Sequence, residues 1–366
     1  MLRKFSVKNF KNFKDKLVLD FTKVRDYEFN SNLIKNNLVN KMLIYGLNNS
    51  GKSNLGAAIM DITTHLTDTH GKNNTMYNYY INGNSSEKKV CFSYEFLLNN
   101  KEIKYSYNKD ENANLLYEEL LEKNKLIYSY NYETNEFVNT LEETKNLDLT
   151  KRNNDNMSVL KYIYNNTIYL SNDNPIKLLM EFVRNMLWFR SLNSNEFMGL
   201  MSNIEDLNDF IIKNNLLNDF EKFLKLCGQN FKLCIINNGF KQVIGVKYKN
   251  YDAYFVDVAS TGTKSLWLFY YWMNRTKNVS FVFLDEFDAF YHYSLSKYIL
   301  KYINNKNSFQ SILTTHNTYL ITNELMRPDC YILLKNGKAT SFADSTTKTI
   351  RQAHNLEKLM LGGEFE

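Results

Sequence analysis

The chain has 366 residues, of which 44% are hydrophobic and 23% charged, and its net charge at pH 7 is +6. This length and composition are those of an ordinary globular protein with a large core and two or three domain-sized units. No segment reaches the roughly 20 apolar residues of a membrane span, and lysines interrupt the N-terminus where a secretory signal would need an apolar core. We therefore expect a cytoplasmic protein with no membrane partner. The basic residues are scattered, which permits contact with DNA or RNA but does not require it.

The first third of the sequence predicts short strands around one helix. Apolar alternation predicts strands at residues 2–8 and 17–21, on either side of a turn-like segment at 9–15. Residues 42–45 form a short apolar run that is typical of a buried strand. Residues 53–65 then place apolar side chains on one helical face. Residues 90–98 and 103–107, joined by Asn99 and Asn100, predict a β-hairpin.

The rest of the chain changes from mixed to alternating elements. Residues 115–138 predict a helix and another hairpin, and the polar residues 140–160 predict a loop. Apolar residues recur at spacings of three and four over 176–226, which predicts helices. Residues 235–236 and 243–246 return to strand. The last hundred residues alternate helix and strand, which indicates an α/β fold.

The stretch MLIYGLNNSGKSNL, residues 42–55, fits the pattern G-x-x-x-x-G-K-[ST] between a predicted strand and a predicted helix. In such a loop, backbone N–H groups turn toward phosphates, Lys52 faces the β- and γ-phosphates, and the Ser53 hydroxyl reaches Mg²⁺. The alternative is a chance match in a loop rich in Gly, Asn and Ser. The predicted ATP-binding residues of this loop are Gly46, Asn48, Asn49, Ser50, Gly51, Lys52, Ser53 and Asn54.

The stretch FVFLDEFDAF, residues 281–290, is an apolar run that ends in two acids. A carboxylate at the end of a buried strand can hold Mg²⁺, which we assign to Asp285 together with Ser53. The adjacent Glu286 can polarise a water molecule for attack on the γ-phosphate. The alternative is a strand whose terminal acids merely face water.

The stretch SILTTHNTYL, residues 311–320, is a second apolar strand and ends in Thr314, Thr315 and His316. One predicted helix separates it from the strand that carries Asp285, so adjacent parallel strands would bring His316 and the acidic pair to one sheet edge. There His316 would contact the γ-phosphate and act in catalysis. The alternative is a histidine that is hydrogen-bonded at a strand end.

The stretch VASTGTKSLWLFYYW, residues 258–272, places small polar residues and a glycine before a strongly apolar helix. The candidate residues are Ser260, Thr261, Gly262 and Thr263. Such a helix N-terminus can bind an anion. The alternative is an ordinary helix cap.

The order of these motifs resembles the ABC-type ATPase heads of the SMC, RecF and OLD proteins, and more closely the AAA/ABC ATPases of bacterial anti-phage loci of the RloA and AbiL type. In this resemblance, the residues STGT at 260–263 replace the signature motif and contact ATP held by another subunit, and Asp288 takes the D-loop position. The opening VKNFKNFKD resembles the N-terminal strand and turn of the family. It adds Lys11 and Asn12 to the expected ATP contacts.

The resemblance implies an α/β P-loop NTPase, with an ABC-ATPase head, an N-terminal β-rich lobe and an inserted β-hairpin plus helical region. Residues 1–70 and 250–366 would form the discontinuous head, 75–160 an inserted β-rich lobe, and 161–249 a helical insertion that returns to the head. The implied cofactors are ATP and Mg²⁺. The implied activity is ATP hydrolysis by a homodimer that closes around nucleotide and regulates a nearby-encoded effector, a nuclease or toxin, in anti-phage defence.

Three other functions remain open at this point. A RecF-like DNA-repair ATPase shares the same head. A ring-forming AAA+ remodelling ATPase would need an arginine finger and a helical lid, and it has no place for the Ser260–Gly262 helix start. The third is a GTPase or a nucleotide-binding module without turnover. A GTPase would need N-K-x-D, and the nearest string, NKDE at 108–111, lacks the final Asp, while Glu286 favours turnover.

Overall fold

The computed structural model describes residues 1–67, 78–144, 147, 157–167, 170–190, 196–199, 206–275 and 279–365. Its strands are β1 Leu2–Lys8, β2 Leu17–Asp20, β3 Ile34–Lys35, β4 Leu38–Val39, β5 Lys41–Tyr45, β6 Val90–Leu98, β7 Lys101–Lys109, β8 Leu115–Glu122, β9 Lys125–Asn131, β10 Glu136–Asn139, β11 Met186–Arg190, β12 Glu196–Gly199, β13 Leu233–Asn237, β14 Gln242–Lys247, β15 Asp252–Tyr254, β16 Phe281–Asp285, β17 Gln310–Thr315, β18 Tyr331–Lys335 and β19 Lys338–Ser341. Its helices are α1 Lys52–Leu66, α2 Val159–Asn166, α3 Pro175–Arg184, α4 Leu207–Lys213, α5 Leu217–Leu226, α6 Phe255–Val258, α7 Thr261–Asn274, α8 Tyr293–Asn304 and α9 Leu356–Leu361. None of the helices in these ranges combines the length and apolar character needed to cross a membrane.

One sheet is mainly parallel and has the strand order β12-β11-β16-β17-β5-β18-β19. Strands β11, β16, β17, β5 and β18 pair in parallel, and the two outermost strands pair antiparallel. Every residue of β5, β16 and β17 is buried, because helices or the second sheet cover both faces. The carboxyl ends of these three strands therefore meet at one sheet edge, where ligands bind in open α/β sheets.

A second sheet is largely antiparallel and has the order β10-β9-β8-β7-β6-β1-β2. Residues along β6 alternate between buried and half-buried, so one face of the sheet packs inward. This inward face carries aromatic side chains such as Tyr94 of β6 and Tyr107 of β7. The Tyr94 hydroxyl donates to the Ala58 carbonyl in α1 at 2.8 Å. The inward face of this sheet thus covers the helix that follows β5.

A buried polar cluster joins the antiparallel sheet to α1. Asp61 of α1 and Lys109 of β7 form an ion pair of 2.6 Å between Oδ1 and Nζ, and their side chains are 0% and 1% exposed. The hydroxyls of Tyr80 and Tyr107 donate to Asp61 at 2.6 and 2.9 Å. Every acceptor oxygen of this buried carboxylate therefore has a donor, which makes its burial tolerable.

The structure confirms the predicted α/β class and corrects the predicted elements within 115–138 and 176–226, where residues 196–199 also form a strand, β12. Residues 115–138 contain strands β8, β9 and β10 where a helix was also predicted. Residues 186–190 form strand β11, not a helix, because this continuous apolar run pairs in parallel with β16 at the edge of the buried sheet. Such a run has no periodicity that separates a buried strand from a buried helix. The loop predicted for 140–160 lies mostly outside the described residues, and α2 begins at its end.

Candidate functional site

The loop between β5 and α1 has the shape of an anion cradle. Gly51 at its end has φ = 100°, which favours glycine, and a Cβ there would lie 2.2 Å from Asn12 Nδ2 and would displace that side chain. The first helical hydrogen bond of α1 runs from Leu55 N–H to the Gly51 carbonyl at 2.8 Å. The N–H groups of the three preceding residues lie before this helical hydrogen-bond ladder, at the positive end of the helix dipole.

Lys52 is buried beneath this loop, with its side chain 3% exposed. Its Nζ donates to the carbonyls of Gly46 at 2.8 Å and Leu47 at 3.1 Å, and lies 3.8 Å from Glu286 Oε1. Burial lowers the pKa of Lys52 below its ordinary value, and the carboxylates of Glu286 and Asp285 oppose that shift. A multiply charged anion in the loop would offset the same burial and favour the charged amine.

Asp285 ends β16 and is buried at the same sheet edge. The Thr314 hydroxyl donates to Asp285 Oδ1 at 2.8 Å, and the Ser53 hydroxyl also bonds this carboxylate. Burial raises the pKa of Asp285, and these hydrogen bonds oppose the rise. A buried carboxylate beside an exposed serine hydroxyl is the donor set that Mg²⁺ takes in nucleotide sites, so the residues fit that ion.

Glu286 adopts an unusual backbone conformation directly after β16. Its φ is 46°, in the left-handed region, and its N–H donates to the Thr314 hydroxyl at 2.8 Å. Thr314 therefore bonds both acids at once, since its one hydroxyl donates to Asp285 and accepts from Glu286. This arrangement turns the Glu286 carboxylate toward Lys52 and away from the path of the strand.

The other two predicted residues of this sheet edge are also close to each other. Asp288 is buried, accepts from the Thr315 hydroxyl at 2.9 Å, and has its pKa raised by burial. His316 follows β17, is exposed, and lies near enough to Asp288 to oppose that rise. The strand ends thus bring the acidic pair, Asp288 and His316 together, as the predicted strand order requires.

The N-terminal turn supplies one residue to the loop. Asn12 Nδ2 lies 3.4 Å from the Ser50 carbonyl, and Asn12 Oδ1 accepts from Asn54 Nδ2 at 2.8 Å. The Lys11 ammonium donates instead to the Asn78 carbonyl at 2.8 Å, and partial burial lowers its pKa. Asn48 and Asn49 are exposed at the tip of the loop, where Asn49 has φ = 62°.

The predicted signature residues form the start of α7. The exposed Ser260 accepts from the Thr263 N–H at 3.2 Å, and the two hydroxyls lie 2.9 Å apart. A Cβ at Gly262 would lie 3.0 Å from the Phe290 carbonyl, so the glycine permits close packing on the segment after Asp288. Across the described part of the chain, no hydrogen bond joins residues 260–263 to the phosphate loop.

Sequence reasoning gave no role to Thr314 and Thr315. The Thr314 hydroxyl donates to Asp285 and the Thr315 hydroxyl donates to Asp288, so both threonines position acidic side chains of the site. A signal existed in the sequence, because two polar residues end the apolar run of β17. In parallel pairing with β16, Leu284 aligns with Leu313, so Thr314 falls beside Asp285.

Comparisons with known proteins place this arrangement in a wider context. Residues 41–322 match the family model described as "AAA domain, putative AbiEii toxin, Type IV TA system". The comparison with curated proteins finds no match. Among solved structures, an SMC head bound to the C-winged helix domain of ScpA is similar at 15% identity and a TM-score of 0.52, with 93% of this chain and 96% of that chain covered. The SMC head domain from Thermotoga maritima is similar at 17% identity and a TM-score of 0.46, with 93% and 97% covered.

Proposed function

The chain belongs to the AAA-domain family matched over residues 41–322, and from this membership and the site geometry we propose that it binds and hydrolyses ATP. The observation that carries the proposal is the meeting of Lys52 with Glu286 at 3.8 Å, beside Asp285 bonded to Ser53. The two residues of each pair lie more than 200 positions apart in sequence. Their convergence on one sheet edge supports a common chemical role.

The loop residues 46–54 bind the triphosphate in this proposal. Backbone N–H groups at the start of α1 donate to phosphate oxygens, and Lys52 moves its amine from the Gly46 and Leu47 carbonyls to the β- and γ-phosphates. Ser53 and Asp285 would hold Mg²⁺, which would supply positive charge against the charge that develops on the phosphates. Asn12, on the β1–β2 turn, bonds Ser50 and Asn54 and closes the outer side of the loop, whereas Lys11 bonds Asn78 and would have to turn toward the loop to contact the nucleotide.

Glu286 orients and polarises the attacking water. Its carboxylate lies beside Lys52 and therefore at the end of the cradle where the γ-phosphate would sit. Thr314 holds the Glu286 backbone in its left-handed conformation, which a residue without such support would not keep. His316, on the next strand, contacts the γ-phosphate and assists in catalysis.

We also propose that hydrolysis requires a homodimer. The start of α7 at Ser260, Thr261, Gly262 and Thr263 exposes Ser260 and Thr261, and it makes no hydrogen bond to the phosphate loop of its own chain within the described residues. A two-fold arrangement lets each α7 start cover the γ-phosphate held by the partner. Gly262 packs on Phe290, two residues after Asp288, so the turn that carries Asp288 would contribute to the same interface.

The biological role we propose is control of an effector protein in anti-phage defence. The family description names a toxin and a type IV TA system, which supports a toxin-based role. One similar head was solved with a bound protein domain, which supports a partner protein on this head as well. The effector would be encoded nearby and would respond to the closed or open state of the dimer.

Two variants test the dimer and the chemistry together. Glu286→Gln keeps the shape of the side chain and loses the base, so we expect ATP-dependent dimers to accumulate while turnover falls by roughly 100-fold or more. Thr261→Arg places a bulky charge at the exposed start of α7, so we expect ATP binding by the monomer without association or hydrolysis. Thr261 is preferred to Gly262, because any side chain at Gly262 meets the Phe290 carbonyl.

Sedimentation with and without ATP and Mg²⁺, paired with a phosphate-release assay, measures both outcomes. The matched control is Asn218→Arg, which adds the same charge to an exposed position of α5. Normal hydrolysis by monomeric Thr261→Arg would show that the site is complete within one subunit. Normal turnover in Glu286→Gln would move the catalytic role elsewhere, with His316 the first alternative.

A further inference from the structure

A cavity of about 510 Å³ lies within the segment that follows β19. One wall is formed by residues between positions 346 and 350, and the other by residues between positions 353 and 364, which include part of α9. The side chains of buried Ile350 and half-buried Leu359 give the lining an apolar part. The volume falls within the range of small-molecule sites in proteins.

This cavity is separate from the proposed nucleotide site. A different cavity, of about 460 Å³, lies beside the phosphate loop, and its lining includes Asn12, residues 47–50, the β18–β19 hairpin at 333–337, Met360 and Phe365. The two cavities share no lining residue, although Leu359 lines the first and its neighbour Met360 lines the second. A ligand in the first cavity therefore does not need the loop residues 46–54.

The acidic residue among those that line the first cavity, Glu364, is already paired. Its Oε1 accepts from the Thr346 hydroxyl, and its Oε2 accepts from the Lys348 ammonium, with which it forms an ion pair. The hydrogen bonds from Lys348 and Thr346 lower the pKa of Glu364, so the carboxylate is ionised at pH 7 and stays bound to its cation. Glu364 therefore brings no uncompensated negative charge to the cavity.

The polar side-chain groups that remain in the lining are donors. Asn355 Oδ1 accepts from the Lys358 N–H at 2.9 Å, which leaves the Asn355 NH₂ group available to a ligand. His354 Nδ1 accepts from the Arg351 N–H at 3.2 Å, so the neutral ring carries its proton on Nε2. Within the described residues, no hydrogen bond or ion pair engages the Asn355 NH₂ group, His354 Nε2 or the Lys358 ammonium.

This set of groups fits a ligand that accepts hydrogen bonds and carries negative charge. Because Lys348 is neutralised by Glu364, Lys358 supplies the remaining positive charge of the lining. An ammonium and two N–H donors suit the oxygens of a carboxylate or a phosphate group, since hydrogen bonds between charged partners are the stronger ones. The apolar part of the lining then remains for the body of the ligand.

We propose that this cavity binds a small organic anion, in which a carboxylate or phosphate group contacts Lys358, His354 and Asn355, and a short apolar body lies against Ile350 and Leu359. The site goes beyond the proposed ATP hydrolysis, and it uses none of the residues assigned to that reaction. It gives the segment after β19 a binding function that no motif of the sequence indicated.

Three probes with one body test the proposal. Benzoate and phenyl phosphate carry the two candidate anionic groups, and benzamide is the neutral match of benzoate. Titrations by calorimetry use the wild type and Lys52→Ala, in which the phosphate loop lacks its cation. We expect at least one anion to bind both proteins equally, with a Kd of roughly 1 mM or tighter, and benzamide to bind about tenfold more weakly than benzoate.

Two variants locate the bound anion. Lys358→Gln removes the charge of an exposed side chain and should weaken anion binding about fivefold or more. The matched control, Lys338→Gln, removes the same charge from an exposed position of β19 that lines neither cavity, and it should bind like the wild type. Asn355→Asp keeps an oxygen acceptor for the Lys358 N–H and replaces the NH₂ donor by a negative charge, so it should weaken binding as well and serves if Lys358→Gln does not fold.

Four results would overturn the proposal. These are no saturable binding of either anion to the wild type, equal affinities for benzoate and benzamide, and wild-type affinity for the anions in both Lys358→Gln and Asn355→Asp. The fourth is loss of anion binding in Lys52→Ala, which would show that the probe occupies the phosphate loop. None of these results bears on whether ATP binds at residues 46–54, which is tested separately.

Discussion

Replacement of Lys109 by methionine should strongly destabilise the protein, because it leaves the buried carboxylate of Asp61 without its cation. The ion pair is 2.6 Å long and both side chains are shielded from water. Removal of one partner of such a pair costs about 3–5 kcal/mol, since the remaining charge stays buried. Tyr80 and Tyr107 continue to donate to Asp61, so we expect a loss near the lower end, about 3 kcal/mol in the free energy of unfolding.

A double variant separates the buried charge from the lost packing. Asp61→Asn with Lys109→Met keeps an oxygen acceptor for both tyrosines and leaves no unpaired charge, so we expect a total loss of only about 1–2 kcal/mol. Equilibrium urea denaturation of the wild type, the single variants and the double variant gives the coupling energy directly. Lys104→Met is the matched control, because Lys104 lies on the opposite face of β7.

Two results would contradict the claim that the buried Asp61–Lys109 charge pair stabilises the protein. A loss below about 1 kcal/mol for Lys109→Met would show that Asp61 is not held as a buried anion. A double variant as unstable as Lys109→Met would show that packing, and not charge, dominates the cluster. Either result would show that the ion pair is not what stabilises the contact between the antiparallel sheet and α1.

Other variants test the site and the cluster beside it. Lys52→Ala should abolish ATP binding, because the loop then lacks the cation that faces the phosphates; equal ATP affinity by calorimetry would contradict the phosphate site. Gly51→Ala should lower ATP affinity by tenfold or so, since the left-handed backbone and the close contact with Asn12 both exclude a side chain, and an unaltered affinity would argue against that geometry. Burial lowers the pKa of His65 well below its ordinary value of 6.5, so this residue stays neutral in the folded state while it protonates in the unfolded state. Its contribution to stability is complete above pH 6.5 and falls by up to about 1.4 kcal/mol per pH unit below it. The difference between the urea midpoints at pH 7 and pH 5 should therefore be smaller in His65→Gln than in the wild type. An equal difference in both proteins would show that His65 does not cause this pH dependence.

Much of the site could be predicted because its residues are adjacent to strong local patterns. The glycines and Lys52 occur in a fixed spacing between a strand and a helix, and Asp285 and His316 follow continuous apolar runs. Parallel strands then place these ends together by geometry alone. Contacts between these strand ends can be predicted from the strand order alone, and the alternation of helix and strand in the sequence indicates that order.

The remainder depends on contacts that no local pattern reveals. Residues 186–190 are apolar throughout, so only the partner β16 decides that they form a strand. The aromatic and charged residues of β6 and β7 alternate as in any half-buried hairpin, and nothing in them indicates Asp61 as the partner of Lys109. The cavity beside the phosphate loop joins residue 12 with residues 333–337, Met360 and Phe365, which only the folded chain brings together.

The central position of β5 has a consequence for how the chain reaches its native state during synthesis. Both neighbours of β5, strands β17 and β18, follow it by more than 260 residues in the sequence. The N–H of Leu2, at the start of β1, likewise donates to the side chain of Gln310 in β17, 308 positions later in the sequence. At about 5–20 residues per second, a ribosome needs roughly 13–53 s to pass from β5 to β17. Throughout this interval an apolar strand with two open edges has no partner strands, so we expect the nascent chain to depend on chaperones, and the loop at residues 46–54 to acquire its shape only after β17 and β18 have been synthesised.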